Sequence, residues 1–215
     1  IPFLAVAFVG FGYLANLLYE QEFGPDAAQR GFFEGIAEPA QLIGLAFSAV
    51  IGMRLLRKGP SHVIRFVAVV STVASAFAAV FALSPTVWLT VLARMGIAAS
   101  LAAVLPSVFA ALSLAIPARA RASGFSMAVI FVIPGLAVLP LAGWISTNWG
   151  IRWGMLVMVP IFILAGLIVS SAHKVIDNDI KNVWTSTAAR SEPLFERRAG
   201  KVKQLLVRGL DVKYG

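Results

Sequence analysis

Residues 63–83 read VIRFVAVVSTVASAFAAVFAL, and from Val67 to Leu83 the only polar groups are the hydroxyls of Ser71, Thr72 and Ser75. A surface helix of a soluble protein carries a charged face opposite its apolar stripe, and this stretch has none. About 20 apolar residues cross the hydrocarbon core of a bilayer as a helix. Lipid offers no hydrogen bonds to an open backbone, so a span of this kind is helical. Working outward, the same pattern recurs at 1–19 and 33–53 before it, and at 86–112, 123–146 and 151–172 after it. Residues 1–173 are therefore expected to form an all-α integral membrane domain of six transmembrane helices.

Composition points the same way. Hydrophobic residues make up 59% of the chain and charged residues 13%, against about a quarter charged in soluble domains. Mean hydropathy is +0.86. Cysteine is absent, which removes disulfides, thiolate metal sites and a cysteine nucleophile. His62 and His173 both lie at span edges, so no histidine metal site is expected. The net charge of +8 comes from helix ends and the tail, without the aromatic interleaving of a nucleic-acid surface. No paired carboxylates or acidic metal motif occurs inside a span, which argues against a membrane enzyme. No cofactor is expected in these residues.

Basic residues on short loops mark the cytoplasmic side. Arg54, Arg57, Lys58 and Arg65 follow the second span, Arg119 and Arg121 the fourth, and Lys174 and Lys181 the sixth. These breaks share one side if the helices alternate. The other side carries Glu20, Glu22, Asp26 and Arg30, then Ser84-Pro85-Thr86, then Thr147-Asn148-Trp149 with Arg152. Both ends are thus expected in the cytoplasm, with the domain in the plasma (inner) membrane. Trp88, Trp144, Trp149 and Trp153 fall at the outer edges, as an aromatic belt requires.

Within the spans, Arg94 is the sharpest residue. It lies roughly 12 Å of helix rise inside the fourth segment, where a charge is costly and faces a partner or water. Glu38 is expected at similar depth, so an Arg94–Glu38 pair is the first hypothesis; holding an anionic substrate group is the second role open to Arg94. Glu34, Glu38 and Gln41 share a helix face. Glu38 is the candidate for proton coupling, with Glu34 read as a hydrated residue near the helix start. Tyr13 and Asn16 are candidate hydrogen-bonding groups, Tyr13 equally an interfacial residue. Ser100 and Ser107 read as small packing residues. Pro134-Gly135 and Pro140 predict a kink in the fifth span, open to a gating role. Phe3, Phe8, Phe11, Phe125 and Phe131 suit an amphipathic solute, packing or lipid alike.

The tail differs in kind. It holds half of the chain's basic and half of its acidic residues. Residues 174–203 read as a cytoplasmic linker and 204–215 as a strand beginning a soluble domain. With Ile1 inside an apolar run, the chain is expected to be part of a longer protein.

Three breaks carry a family resemblance. Met53–Pro60 (MRLLRKGP) resembles the basic turn between helices eight and nine of major facilitator superfamily transporters. Pro117–Gly124 (PARARASG) is similar to that family's loop between helices ten and eleven, and Gly143–Trp153 (GWISTNWGIRW) to its turn between helices eleven and twelve. The resemblance implies the C-terminal six-helix half of a twelve-helix fold, built of two three-helix inverted repeats. It implies three partners: the lipid bilayer, a small-molecule substrate and a missing N-terminal six-helix half. Helices one, two, four and five would line the cavity, with three and six peripheral. Arg54, Arg57 and Lys58 would clamp neighbouring helix ends, or serve as topology and headgroup contacts. The Pro134-Gly135 step resembles the Gly-Pro-rich helix of the superfamily's drug antiporters.

A second resemblance covers Leu205–Gly215 (LLVRGLDVKYG), which is similar to the first strand of an ABC-type ATPase domain. It implies ATP binding through a missing C-terminal domain, with Tyr214 stacking on adenine. The expected function is therefore alternating-access movement of a small solute across the plasma membrane. The alternative is the six-helix permease domain of an ABC transporter. Cytoplasmic breaks of only about ten residues argue against that, because export-type permeases extend their helices far beyond the membrane.

Overall fold

The computed structural model of the chain describes residues 9–116, 120–130, 132–171 and 185. Apart from Thr185, the expected linker at 174–203 lies outside the described residues, as do the strand at 204–215 with Tyr214, and Phe3, Phe8, Phe131, Arg119 and His173. Among the described residues every regular element is helical.

The first span is described from Val9; α1 (Phe11–Leu18) widens into a π turn over Tyr19–Phe23. Gly24 ends it at φ +64, a left-handed turn that glycine adopts without a Cβ clash. Asp26 then opens α2 (Ala27–Lys58) with a capping box. The Gln29 amide donates to the Asp26 carboxylate at 2.7 Å, and the Asp26 amide donates to the Gln29 side chain at 3.2 Å. The second span therefore starts two turns before the apolar run at 33 that marks it in the sequence. Gly59, at φ +140, separates α2 from α3 (Pro60–Leu83). After the short break at Ser84 comes α4 (Val87–Ala115).

The fifth expected span appears as α5 (Arg121–Ile130), α6 (Val132–Leu136) and α7 (Val138–Trp149), and the sixth as α8 (Ile151–Leu156) and α9 (Met158–Ser171). Two of these breaks obey one rule. Ala137 lies three residues before Pro140, and Val157 three before Pro160. Proline has no N–H to return to the carbonyl four residues back, here Leu136 and Leu156, so the helix loosens at the next residue. The interruption expected from Pro140 is present; that from Pro160 matches it in form. Among the described residues, four helices are long and apolar enough to cross a membrane: Ala27–Lys58, Ser61–Leu83, Val87–Ala110 and Ile151–Ser171.

The core gathers around α4. Half of its most apolar window is buried, against 17% for α2. α4 packs mainly on α2 and α3, and α3 packs on α9. The α2–α4 contact is a seam of small residues. Ala37, Ala40, Gly44 and Ser48 are the buried residues of α2, and Ala99, Ala103 and Ser107 recur every four residues opposite them. Small side chains let helix backbones approach closely in lipid, where apolar burial supplies no drive between helices. Ser48 donates to the Ala103 carbonyl at 2.8 Å and shares a 3.1 Å hydrogen bond with Ser107. Ser107 thus packs as expected and also crosslinks the seam. Ser48→Ala is expected to destabilise by about 0.6 kcal/mol, the usual size of an interhelical hydrogen bond in a membrane. A thermal melt in detergent reads it, and Ser100→Ala is the neutral control, because Ser100 bonds only to Gly96 of its own helix.

Aromatic rings fill the remaining core. Phe11 meets Phe81 edge-on at 5.0 Å, Tyr19 lies 5.7 Å from Phe81 and 5.6 Å from Phe33, and Phe33 reaches Trp88 at 6.1 Å.

Candidate functional site

The aromatic cluster supports a charge pair inside the bundle. Arg94 on α4 and Glu34 on α2 each stand seven residues from the start of their helices, about 10 Å of rise. Arg94 Nη2 donates to Glu34 Oε2 at 2.8 Å and Nε donates to the same oxygen at 3.1 Å. The side chains are only 13% and 23% exposed. The guanidinium also lies over the Phe11 ring at 5.7 Å, close enough for a cation–π attraction. Tyr19 is fully buried, and its hydroxyl is without a hydrogen-bond partner among the described residues.

This corrects the expected Arg94–Glu38 pair. The partner is Glu34, one turn nearer the helix start. The physical reason is the capping box at Asp26, which begins α2 at residue 27 and moves Glu34 to the depth of Arg94. Glu38 is exposed and accepts a 2.5 Å hydrogen bond from Gln41 of its own helix. Tyr13 is 69% exposed, and Asn16 lies on the same outward face of α1. Neither side chain forms a hydrogen bond among the described residues. Pro134, Gly135 and Pro140 flank the break at Ala137. Phe11 was among the phenylalanines named in the sequence, with packing as one of its open roles; Tyr19 and the Glu34 partnership were missed, and the Asp26-x-x-Gln29 pattern was the readable signal for the latter.

The two ends of the bundle are built differently. At the acidic end Arg30 pairs with Glu20 and Arg152 with Glu22, the latter at 2.9 Å. Arg152 also donates to the Ala82 and Ser84 carbonyls at 3.0 and 2.9 Å. It therefore ties α8 to the end of α3 and to the π turn after α1. Arg30 and Arg152, the basic residues of this end, are thus neutralised. At the other end Arg54, Arg57, Lys58 and Arg65 are exposed, and none joins an ion pair among the described residues. Among the described residues no group of acidic residues and histidines is placed to hold a metal.

Long apolar helices, a proline-broken hairpin and charges paired within the bundle define a multi-pass membrane protein. The family model of the Major Facilitator Superfamily matches residues 3–206, and the chain belongs to that family. Its members are transport proteins and generally not enzymes. No curated protein and no solved structure matches the chain. The match decides between the two transporter readings in favour of the facilitator type over the ABC permease.

Proposed function

We propose that the chain is the C-terminal six-helix half of a twelve-helix carrier that moves a small solute across the plasma membrane by alternating access. In this reading both ends are cytoplasmic and the basic end faces the cytoplasm. The cavity is lined by α1, α2, α4 and the broken α5–α7 segment, with a six-helix N-terminal half opposite. The observation that carries the reading is the Arg94–Glu34 pair on Phe11: two charges desolvated about 10 Å inside apolar helices are costly unless they serve a pathway or a fixed packing. Arg94 offers its remaining donors to an anionic substrate group, and Glu38 with Gln41 lies one turn deeper for proton exchange. Tyr13 and Asn16 supply hydrogen bonds from α1, and the break between Pro134-Gly135 and Pro140 supplies a bend for gating. Arg54, Arg57 and Lys58 fix the orientation and grip neighbouring helix ends.

The absence of cysteine makes a substrate-free test direct. Single cysteines are introduced into the full-length protein, freed of other cysteines, in intact cells. Asn16→Cys is expected to react with a membrane-impermeant maleimide, because it faces water in the cavity. Leu167→Cys, also exposed on the isolated half, faces lipid and should not react. Arg57→Cys should react only after permeabilisation. An inert Asn16→Cys removes α1 from the cavity, and labelling of Arg57→Cys in intact cells reverses the orientation.

A fused ATP-binding domain after residue 204 is a separate proposal, supported by Leu205–Gly215 and Tyr214 alone. A G-x-x-x-x-G-K-[ST] phosphate loop within a few dozen residues downstream is its test.

A further inference from the structure

An apolar groove of about 480 Å3 runs between α2 and α3. Ile43, Phe47 and Ile51 form one wall, and Phe66, Val69 and Val73 the other. Phe47 and Phe66 face each other across it with ring centroids 6.5 Å apart. Ala99 and Ala103 of α4 form the floor. The polar residue on its surface, Ser100, turns its hydroxyl to the Gly96 carbonyl, so nothing in the groove asks for a polar ligand.

The groove is one-ended in charge. Continuing its α2 stripe from Ile51 by three and seven residues reaches Arg54 and Lys58. Continuing its α3 stripe backwards from Val69 by four and seven residues reaches Arg65 and His62. Residues three, four and seven apart share a helix face, so these four groups form the mouth of the groove. All four are exposed, and the three permanent cations carry no ion pair among the described residues. From Ile43 to Ile51 the groove spans about 12 Å of rise, close to the thickness of one leaflet's hydrocarbon, about 15 Å.

We propose that this groove is a binding site for one anionic phospholipid of the leaflet facing the basic end. An acyl chain lies between α2 and α3 against Phe47 and Phe66, and the phosphate is held by Arg54, Lys58 and Arg65, with His62 at the rim. Matched length selects a lipid chain, and the unpaired cations select a negative headgroup, since basic pockets between helices attract anionic lipids. Pairing at this mouth fixes the α2–α3 turn, whose ends no protein carboxylate holds among the described residues.

The test is native mass spectrometry of the full-length protein in detergent with phosphatidylglycerol and phosphatidylcholine of identical chains. It does not depend on which side of the membrane the basic end faces, so its failure leaves the proposed orientation and transport untouched. The wild type is expected to retain phosphatidylglycerol over phosphatidylcholine roughly tenfold. Arg54→Gln with Arg65→Gln should bring that ratio near one, and Val69→Trp, which fills the groove, should retain neither lipid. Ile43→Trp repeats the groove test if Val69→Trp melts early. Free glycerol phosphate should not displace the lipid. Equal retention of the two lipids by the wild type, an undiminished preference in the arginine variant, or retention by both groove-filled variants overturns the proposal. Displacement by glycerol phosphate does the same, since it reduces the site to headgroup contacts.

Discussion

Arg94→Ala is expected to destabilise the folded bundle by about 3 kcal/mol, the lower end of the cost of breaking a buried ion pair. The lower end applies because both side chains keep some exposure. The penalty is not the lost attraction alone. It is the uncompensated Glu34 carboxylate, left part-buried near the Tyr19 hydroxyl with no cation on it. Removing both partners, Arg94→Ala with Glu34→Ala, is expected to recover most of the stability, because no charge remains buried. Thermal melts of the two single variants and the double variant in detergent measure this, as a double-mutant cycle. Glu38→Ala should leave the melt near wild type, since Glu38 is exposed and bonded within its own helix. If Glu38→Ala costs as much as Glu34→Ala, or the double variant is no better than Arg94→Ala, the pair does not act as a unit. A recovered fold without recovered uptake, once a substrate is known, assigns Arg94 to the transport pathway; recovered uptake makes the pair structural.

Gly44→Ala is the second large effect. A Cβ there would meet the Ala99 carbonyl oxygen, with the Ala99 carbonyl carbon at 2.6 Å and its Cα at 2.7 Å. The obstruction is backbone and not a flexible side chain, so α2 must lift away from α4. Lifting also stretches the Ser48–Ala103 hydrogen bond one turn along. Overpacking costs of this kind run about 1–3 kcal/mol and more when backbone must move, and about 3 kcal/mol is expected here. Gly35→Ala is the matched control on the same helix, where nothing lies within 4 Å of the added Cβ. Unfolding of both variants in parallel checks the contrast, and equal stability would mean that α2 does not seat on α4 through Gly44.

Much of the fold was legible because a lipid environment writes its demands into single stretches of chain. The lengths of α3 and α4, the basic and acidic ends, and the break near Pro140 all follow from local composition. The α2–α4 seam was not legible. In a soluble helix the buried face is the apolar one, but in lipid both faces of α2 are apolar, and the pattern Ala40, Gly44, Ser48 differs from its surroundings only in size. The Arg94 partner was misplaced for a different reason. Hydrophobicity marks where lipid begins, at about residue 33, whereas hydrogen bonding marks where the helix begins, at Ala27. Charge and depth identified the right kind of partner, and the two missing turns moved it to the wrong glutamate.

The unequal ends of the bundle bear on how it keeps its direction in an energised membrane. In the proposed orientation, with the basic end inside, the four cations Arg54, Arg57, Lys58 and Arg65 would sit on the electrically negative side. Carrying them to the opposite face would cost about 9 kcal/mol at 100 mV, from about 2.3 kcal/mol per charge. At the acidic end Arg30 and Arg152 are matched by Glu20 and Glu22, so the field gains almost nothing from moving that end. In that orientation the membrane voltage would act as a ratchet on the inserted hairpins: once α2 and α3 have crossed, the potential itself opposes their return.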